Sequence, residues 1–305
     1  MSPAILVGLY CALRRIAVFL WLFELKISYF AATNKPTSLE IIILLFSLTF
    51  LILFVFRIII EPTYIMVFNK PIYVHLYMFP KEISPRYKSV LEREFRFYRN
   101  LPLAKRKYFR HRVQSFMENY QFVGREGLAV TEEMKVKIAA TSVMLTFGMR
   151  NYLSDLFETI LIYPDIFLSP SSDEYHKGEF NPAAGVVVFS WKHFIEGIEY
   201  DNDNLNLGLH EFAHVLHLDS LKRRRIGSSS VIYTDMFDKI MEYIAKPQNR
   251  EKLMKAEYFR LYAYTNQYEF IAVILEYFFE TPMVFRQKLP ELYFMVEKMI
   301  NFKQD

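Results

Sequence analysis

The sequence predicts an α+β protein in which a mainly helical domain with a small β-sheet follows an N-terminal transmembrane helix. Three observations support this fold class. Residues 41–60 read IIILLFSLTFLILFVFRIII, and several segments after residue 85 carry apolar residues at helical spacing. Residues 185–191 read GVVVFSW, a short run of β-branched and aromatic residues that is typical of a strand. A chain of 305 residues is long enough to bury a sizeable core.

Composition argues against two classes of protein. The single cysteine, Cys11, cannot form an intramolecular disulfide bond, so nothing indicates a secreted, disulfide-stapled fold, and a reducing compartment fits the chain. The formal net charge of +4 is too small to indicate nucleic-acid binding. The basic run KRRR at residues 222–225 follows a predicted helix end, where the helix dipole favours cations anyway. We therefore expect no nucleic-acid partner.

Residues 37–62 are predicted to contain the transmembrane helix. Twenty apolar residues at about 1.5 Å rise span roughly 30 Å, the thickness of a hydrocarbon core. Arg57, near one end, can extend its guanidinium to the lipid headgroups. A buried core helix is the alternative, but such a helix rarely lacks a polar stripe over this length. Lys26 and Lys35 lie before the helix and Lys70 after it, so the flanking charges hardly favour either orientation.

Residues 1–36 form a second apolar segment with three open interpretations. Arg14 and Arg15 lie in its middle, and a charge at the centre of a membrane helix costs about 2.5–3.5 kcal/mol on insertion scales. We therefore favour an interfacial helix over a second span. A signal peptide with Arg14 and Arg15 as its positive region is the third interpretation, although the apolar run at residues 16–23 is short for one.

Residues 63–88 are predicted to be a Pro- and Tyr-rich connector, because prolines at 62, 71, 80 and 85 should prevent a continuous helix. Two interpretations stay open. The aromatic residues suit a membrane interface, or residues 72–78 alternate as a strand does. The aromatic residues concerned are Tyr64, Phe68, Tyr73, Tyr77 and Phe79. Residues 89–305 then show no second change in composition and are predicted to form one domain.

Within this domain the sequence predicts two helices before the strand at residues 185–191. One carries an apolar stripe of Phe109, Val113, Phe116 and Tyr120, surrounded by basic residues, and a solvated basic face is favoured over a lipid-binding one. The other begins at Thr131, a residue that readily caps a helix. A turn at residues 201–204 then precedes a third helix.

That third helix carries the most informative stretch, LGLHEFAHVLHLD at residues 207–219. His210 and His214 are one turn apart, within about 40° on one face, so their imidazoles can bind a single Zn²⁺ ion. Glu211 points about 100° away from His210, which suits a general base that holds water without binding the metal. This is the His-Glu-x-x-His pattern of zinc peptidases. Histidines satisfied within a core are the alternative.

A catalytic zinc ion usually takes a third protein ligand. His217 lies on nearly the same face as His210, and three ligands in one row cannot surround an ion, so we expect His217 to be supporting or structural. Glu269 and Glu276 share a face of a predicted apolar helix at residues 262–282, where a carboxylate needs a partner. Glu269 could instead complete a capping box three residues after its N-cap, and Glu276 could hydrogen-bond a ligand histidine.

These segments resemble the Mlc titration factor (MtfA-type) zinc peptidases. The resemblance covers about residues 90–300 and rests on FVGREGLAVTEEMKVKIAA, GVVVFSW, HEFAH, YAYTNQYEFIAVILEYFFETP and PELY. It implies a gluzincin-like zinc metallopeptidase domain akin to the catalytic domain of anthrax lethal factor. It further implies that His210, His214 and Glu269 bind one Zn²⁺ ion per chain, that Glu211 is the general base, and that Tyr262 is an active-site tyrosine. Simple packing is the alternative for Tyr262.

The resemblance also implies a function. Family members are described as aminopeptidases and as partners of the glucose repressor Mlc, so the expected partners are a peptide or protein substrate and a transcriptional regulator. A regulatory binding protein that titrates a repressor is the alternative to an enzyme. This chain departs from the family at His217, where members often have aspartate, and in its membrane helix. We expect a bacterial inner-membrane protein with a cytoplasmic catalytic domain, and a substrate that pairs with the strand at 185–191.

Overall fold

The computed structural model describes residues 37–200, 202–224 and 229–304, together with Arg14, Val18 and Trp21. The chain divides into two compact units, Met1–Ile72 and Tyr73–Asp305. The interfacial helix, second span or signal peptide expected in residues 1–36 lies almost entirely outside the described residues. The domain limits expected at residues 36, 62 and 88 stay predictions.

The first unit contains a long apolar helix. The hydroxyl of Thr37 accepts the N–H of Glu40, whose carboxylate accepts the N–H of Thr37 in return, and this capping box starts the helix. The helix then runs as α1 (Ser38–Val55), a π-helical turn (Phe56–Ile60) and α2 (Glu61–Phe68). Its length and composition are sufficient to cross a membrane, and its most apolar stretch is almost entirely exposed.

Pro62 does not interrupt this helix, so the expectation was wrong for Pro62, whereas residues 69–84 contain no helix, as predicted. The helix continues beyond it to Phe68 because Pro62 lies in the first turn of α2, directly after the π-helical turn. The wider π-helical turn changes the hydrogen-bond pattern where proline offers no N–H donor. At the same place Arg57 pairs with Glu61, with Nη1 and Oε2 2.6 Å apart, so these two opposite charges compensate each other.

The second unit is mainly helical with a small sheet, which agrees with the predicted fold class. Its helices are α3 (Pro85–Glu94), α4 (Arg96–Asn100), α5 (Leu103–Asn119), α6 (Glu132–Thr146), α7 (Trp191–Glu199), α8 (Leu207–Lys222), α9 (Ser229–Ala245), α10 (Pro247–Ala256), α11 (Gln267–Glu280), α12 (Pro282–Lys288) and α13 (Pro290–Met299), with a 3₁₀ turn at Leu261–Tyr264. Its strands are β1 (Gln121–Gly124), β2 (Thr159–Tyr163), β3 (Phe167–Leu168), β4 (Tyr175–His176), β5 (Gly178–Asn181) and β6 (Val186–Ser190).

The main sheet has the strand order β1-β2-β6-β5, in which β1, β2 and β6 are parallel and β5 is antiparallel to β6. The strand predicted from GVVVFSW is therefore confirmed as β6, but the expectation that a substrate pairs with it was wrong. Both edges of β6 are already paired, one with β2 and one with β5. The edge strand beside α8 is β5, which is too polar and glycine-containing to read as a strand from sequence alone.

Helices α5 and α6 form the centre of the core, and the sequence predicted both. The stripe of Phe109, Val113 and Phe116 on α5 is buried, as is Tyr120 at its end. Thr131 caps α6 by accepting the N–H of Met134 at 3.3 Å. Helix α6 packs in turn against α8, so the core positions the helix that carries the histidines.

Arg112 of α5 is fully buried and joins three parts of the chain. Its Nε donates to the hydroxyl of Tyr77 at 2.7 Å. Its Nη atoms donate to the backbone carbonyls of Thr146 at 3.0 Å and Met149 at 2.8 Å, at the end of α6. The C-terminal carbonyls of a helix carry partial negative charge, so they provide the counter-charge that a buried guanidinium needs. Residues 73–84 are thereby held against α5 without forming a strand.

His75 in this segment is expected to make the protein acid-sensitive. Burial, and then the charges of Arg112 and Lys105, lower its pKa from 6.5 to about 3. As the pH falls, His75 therefore takes up a proton in the unfolded chain before it does so in the folded chain. The contribution of neutral His75 to the free energy of unfolding is complete above pH 6.5 and is lost as the pH falls towards 3. We expect a loss of about 1.5 kcal/mol near pH 4.5, after a discount for solvent screening. Urea unfolding of the wild type and His75→Phe across this range measures it; parallel pH curves for the two proteins would contradict it.

Candidate metal centre

Helix α8 is fixed at its start by Asn206. The side-chain oxygen of Asn206 accepts the N–H of Leu209 at 2.9 Å, and its amide donates to the carbonyl of Gly197 at 2.6 Å. The first bond satisfies a donor that an uncapped helix would leave unpaired, and the second ties the start of α8 to the end of α7. His210 and His214 then face the same side, one turn apart, as predicted.

Helix α11 brings Glu269 to the two histidines. The side-chain oxygen of Asn266 accepts the N–H groups of Tyr268 at 2.9 Å and Glu269 at 3.0 Å, so Asn266 is a true N-cap. The carboxylate of Glu269 does not return to the N-cap, and no capping box forms. Instead it points at α8. The backbone N–H of Glu269 therefore takes part in capping the helix, while its carboxylate is free to approach the two histidines.

The side chains of His210, His214 and Glu269 converge on one point. One ligand atom from each lies within 4.8 Å of the others. The two Nε2 atoms are 3.2 Å apart, Oε2 of Glu269 is 3.0 Å from Nε2 of His210, and Oε1 is 3.6 Å from Nε2 of His214. The structure thus brings together all three residues predicted to bind the metal.

Two observations show that a divalent cation fits this cluster. Oε2 of Glu269 is buried and makes no hydrogen bond within the described part of the chain, since its approach to His210 lacks hydrogen-bond geometry. A buried carboxylate oxygen in that state needs a cation or a donor. The donor set of two imidazole nitrogens and one carboxylate is also the one that catalytic zinc ions take in several peptidases.

The charges of the cluster agree with this fit. For the side chains by themselves, burial would lower the pKa of His210, but the carboxylates of Glu269 and Glu276 outweigh it and raise the pKa to about 10. Burial, and then the charge of His210, lower the pKa of His214 to about 4. The three side chains therefore accommodate one positive charge as a proton, and a bound cation would take its place.

Glu276 orients His210 from the side away from Glu269. Its Oε1 lies 2.7 Å from Nδ1 of His210, so Nε2 is directed at the cluster. Its Oε2 accepts the N–H of Asn206 at 3.0 Å, so the same carboxylate also holds the start of α8. Glu276 therefore hydrogen-bonds a predicted ligand, which was one of the two interpretations of its sequence position.

Arg260 is a residue that the sequence did not reveal. Both of its Nη atoms bind Glu276, with Nη2 2.6 Å from Oε1 and Nη1 3.0 Å from Oε2. This bidentate pair neutralises a carboxylate that is almost fully buried and fixes its plane towards His210. Arg260 directly precedes the 3₁₀ turn, 16 residues before Glu276, and no motif marks it.

Glu211 lies close to the cluster and lines an open cleft. It is only 7% exposed, and burial raises its pKa to about 7. The cleft has a volume of about 870 Å³ and is also lined by His210, Arg260 and Tyr262. A carboxyl group that changes protonation near neutral pH, at the edge of a cleft and beside a possible cation, has the properties of a general base.

Tyr262 and His217 take different positions. Tyr262 is half exposed, its ring centroid is 6.1 Å from that of His210, and burial and then the charge of Glu269 raise its pKa to about 12. It therefore faces the same cleft as a protonated donor. His217 is buried beside Tyr233, whose hydroxyl is 3.2 Å from its Nδ1, and it does not belong to the cluster. His217 thus supports α8 from its packed side.

The site thus contains two histidines and one glutamate from two helices, with a second, buried glutamate in the adjoining cleft. This arrangement is typical of metallopeptidases. The chain belongs to the family described as glucose-regulated metallo-peptidase M90, whose profile matches residues 77–300. It is 26% identical over 246 residues to the uncharacterized protein slr2042 of Synechocystis sp. (strain ATCC 27184 / PCC 6803 / Kazusa), covering 72% of this chain and 85% of the relative. It is 24% identical over 200 residues to Mlc titration factor A of Yersinia pestis (strain Pestoides F), covering 59% of this chain and 72% of the relative.

Gly178 at the start of β5 makes room for Glu211. A Cβ atom at this position would lie 2.8 Å from both Cγ and Oε1 of Glu211. We expect Gly178→Ala to displace that carboxylate and to lower kcat/KM for peptide hydrolysis about 10²-fold, because a shift of about 1 Å in a catalytic group has that effect. Steady-state kinetics together with metal analysis measures this, and the metal content should not change.

Gly185, in the turn before β6, is the matched control. A Cβ there meets nothing within 4 Å, but the backbone φ of +65° is strained for alanine. Gly185→Ala should therefore lower stability and leave kcat/KM nearly unchanged. Equal losses of activity in the two variants would show that Gly178 acts through the strand rather than through Glu211.

Proposed function

We propose that this protein is a membrane-anchored zinc-dependent metallopeptidase that hydrolyses peptide bonds. The observation that carries the proposal is the convergence of His210, His214 and Glu269 on one point beside Glu211, at the edge of an open cleft. Membership of a metallopeptidase family supports it.

Each residue has a role in this proposal. Zinc held by the three side chains would acidify a water molecule and polarise the scissile carbonyl group. Glu211 accepts the proton of that water and passes it to the leaving amine. Tyr262 donates a hydrogen bond to the oxygen on which negative charge develops. Glu276, fixed by Arg260, keeps the imidazole of His210 in the orientation that directs Nε2 at the metal.

The substrate is proposed to lie along the free edge of β5. This strand is the last of the sheet, and Gly178 at its start is packed against Glu211. An extended peptide added there would bring a backbone carbonyl past the general base. The cleft is also lined by the acidic residues Glu196, Glu199 and Asp203, which would attract a free amino group. Aminopeptidase activity is therefore part of the proposal.

The helix Ser38–Phe68 is proposed to anchor the protein in the bacterial inner membrane with the second unit in the cytoplasm. Its length, apolar composition and exposure support the anchor. The single cysteine of the chain fits the reducing cytoplasm.

The name of the Yersinia relative supports a second candidate function, a regulatory protein that binds a transcriptional repressor. In that case the metal would hold α8 and α11 together, and the cleft would bind the repressor without cleaving it. The two functions share the metal site and differ in whether Glu211 acts on a bound peptide.

Zinc content and peptide cleavage test the proposal on the full chain purified in detergent. We expect about one zinc ion per chain by elemental analysis, and cleavage of a mixture of unstructured peptides detected by mass spectrometry. His214→Ala should lose both properties. A wild-type protein without stoichiometric zinc, or cleavage that persists in His214→Ala, would overturn the proposed function.

A further inference from the structure

Residues 73–79 of the second unit expose a row of apolar side chains. Leu76 is 71% exposed, and Met78 and Phe79 are each 86% exposed. Large apolar side chains that stand next to each other in water mark an interaction surface more often than isolated ones do. Tyr73 and Tyr77, which the sequence suggested for a membrane interface, turn the other way onto Arg150 and Arg112.

This apolar row is held in place from below. The ring of His75 stacks on Tyr108 with 4.9 Å between centroids, and the hydroxyl of Tyr77 accepts a hydrogen bond from Arg112 at 2.7 Å. The N–H of Lys81 donates to Nδ1 of His111 at 2.9 Å. The segment is therefore fixed to α5 at three points, and its apolar side chains cannot fold back into the core.

Positive charge accompanies the apolar row. Lys105 on α5 is close enough to His75 to lower its pKa, and Nζ of Lys107 lies 5.0 Å from the ring centroid of Tyr108. In the part of the chain that the structure describes, neither lysine forms an ion pair. The nearby carboxylates of Glu82 and Glu118 are already paired, with Arg110 and Lys81. The net charge around the row is therefore positive.

We propose that Leu76, Met78 and Phe79 insert into the headgroup region of a lipid bilayer, and that Lys105 and Lys107 bind its anionic headgroups. A membrane surface has acyl chains beneath negatively charged headgroups. The apolar side chains would contact the acyl chains, and the neighbouring lysines would contact the headgroups. The inference rests on the proposed membrane anchor. Phe79 is eleven residues beyond Phe68, so the chain keeps it within about 40 Å of the end of the apolar helix. The membrane then contacts the catalytic unit directly, besides tethering it.

A nitroxide label on single cysteines in the full chain tests this proposal. The label is placed by Phe79→Cys in a Cys11→Ser background, and the protein is reconstituted into phosphatidylcholine vesicles with and without phosphatidylglycerol. Collisions with oxygen, which concentrates in lipid, are compared with collisions with a water-soluble nickel chelate. Phe46→Cys on the apolar helix reports insertion of the anchor, and Met283→Cys on α12, also exposed, reports a solvated position.

The label at 79 is expected to be more accessible to oxygen than to nickel in the anionic vesicles, as at 46, whereas the label at 283 shows the reverse. Lys105→Glu with Lys107→Glu should reduce the oxygen-to-nickel ratio at 79 several-fold and leave it unchanged at 46. A ratio at 79 equal to that at 283, with 46 in lipid, overturns the inference while the anchor stands. A solvated label at 46 overturns the anchor itself. Spin–spin broadening at 79 would assign the row to a second copy of the chain and also overturn the inference.

Discussion

Glu211→Gln is expected to lower peptide hydrolysis about 10³-fold and to leave the zinc content unchanged. The amide has nearly the same shape as the carboxylate, but it cannot accept a proton from water, and general-base catalysis is worth about 10²–10⁴ in rate. The three side chains proposed to bind the metal are not altered, and within the described residues no hydrogen bond joins Glu211 to them. Steady-state cleavage of a peptide substrate and elemental analysis of the same preparation measure the two quantities.

The same variant separates the two candidate functions. An enzyme loses its biological effect together with hydrolysis, whereas a regulatory binding protein keeps that effect in full. Glu251→Gln on the exposed face of α10 is the matched control and should retain normal hydrolysis. Normal hydrolysis by Glu211→Gln would remove this residue from the mechanism and, with it, the proposed peptidase chemistry.

Arg112→Met is expected to destabilise the second unit by about 3 kcal/mol. Methionine fills most of the volume, but it leaves the hydroxyl of Tyr77 and the carbonyls of Thr146 and Met149 buried without their donor. Each unsatisfied buried group costs about 1–3 kcal/mol, which the removal of a buried charge offsets only in part. Urea unfolding in detergent, followed by tryptophan fluorescence to which Trp191 in α7 contributes, measures the loss.

Lys107→Met on the same helix is the control, because Lys107 is exposed and should change the free energy of unfolding by less than about 0.5 kcal/mol. Similar stabilities for the two variants would show that the hydrogen bonds of Arg112 contribute little. Arg112→Met should also loosen residues 73–79, which would appear as faster amide exchange there than in α5.

Features set by local chemistry could be predicted from the sequence. The stripe on α5 and the cap at Thr131 depend on residues within a few turns of each other, and the structure confirms them. The spacing of His210 and His214 places both on one face for the same reason. For Glu269 the local pattern allowed two interpretations, because an N-cap followed three residues later by glutamate fits both a capping box and a free carboxylate. Only the direction of the side chain distinguishes them.

Features set by distant parts of the chain could not be predicted. Arg260 binds Glu276 only because the 3₁₀ turn folds back beside α11, and its type and neighbours in sequence are unremarkable. Gly178 is easily noticed in the sequence, but glycine is required there because of the carboxylate of Glu211, which is 33 positions away. The pairing of β6 on both sides depends in the same way on β5, a strand without a hydrophobic pattern.

The shortness of β5 limits what the protein can recognise. In an antiparallel arrangement only alternate residues direct their N–H and C=O groups to one side, so its four residues offer a peptide on the order of four backbone hydrogen bonds. At about 0.5–1.5 kcal/mol each, these correspond by themselves to roughly millimolar affinity. This binding free energy is too small to offset the free energy needed to unfold a stable helix or sheet in the substrate. Cleavage along this edge would therefore favour disordered termini and unstructured segments. Well-folded proteins would resist cleavage except where they unfold locally.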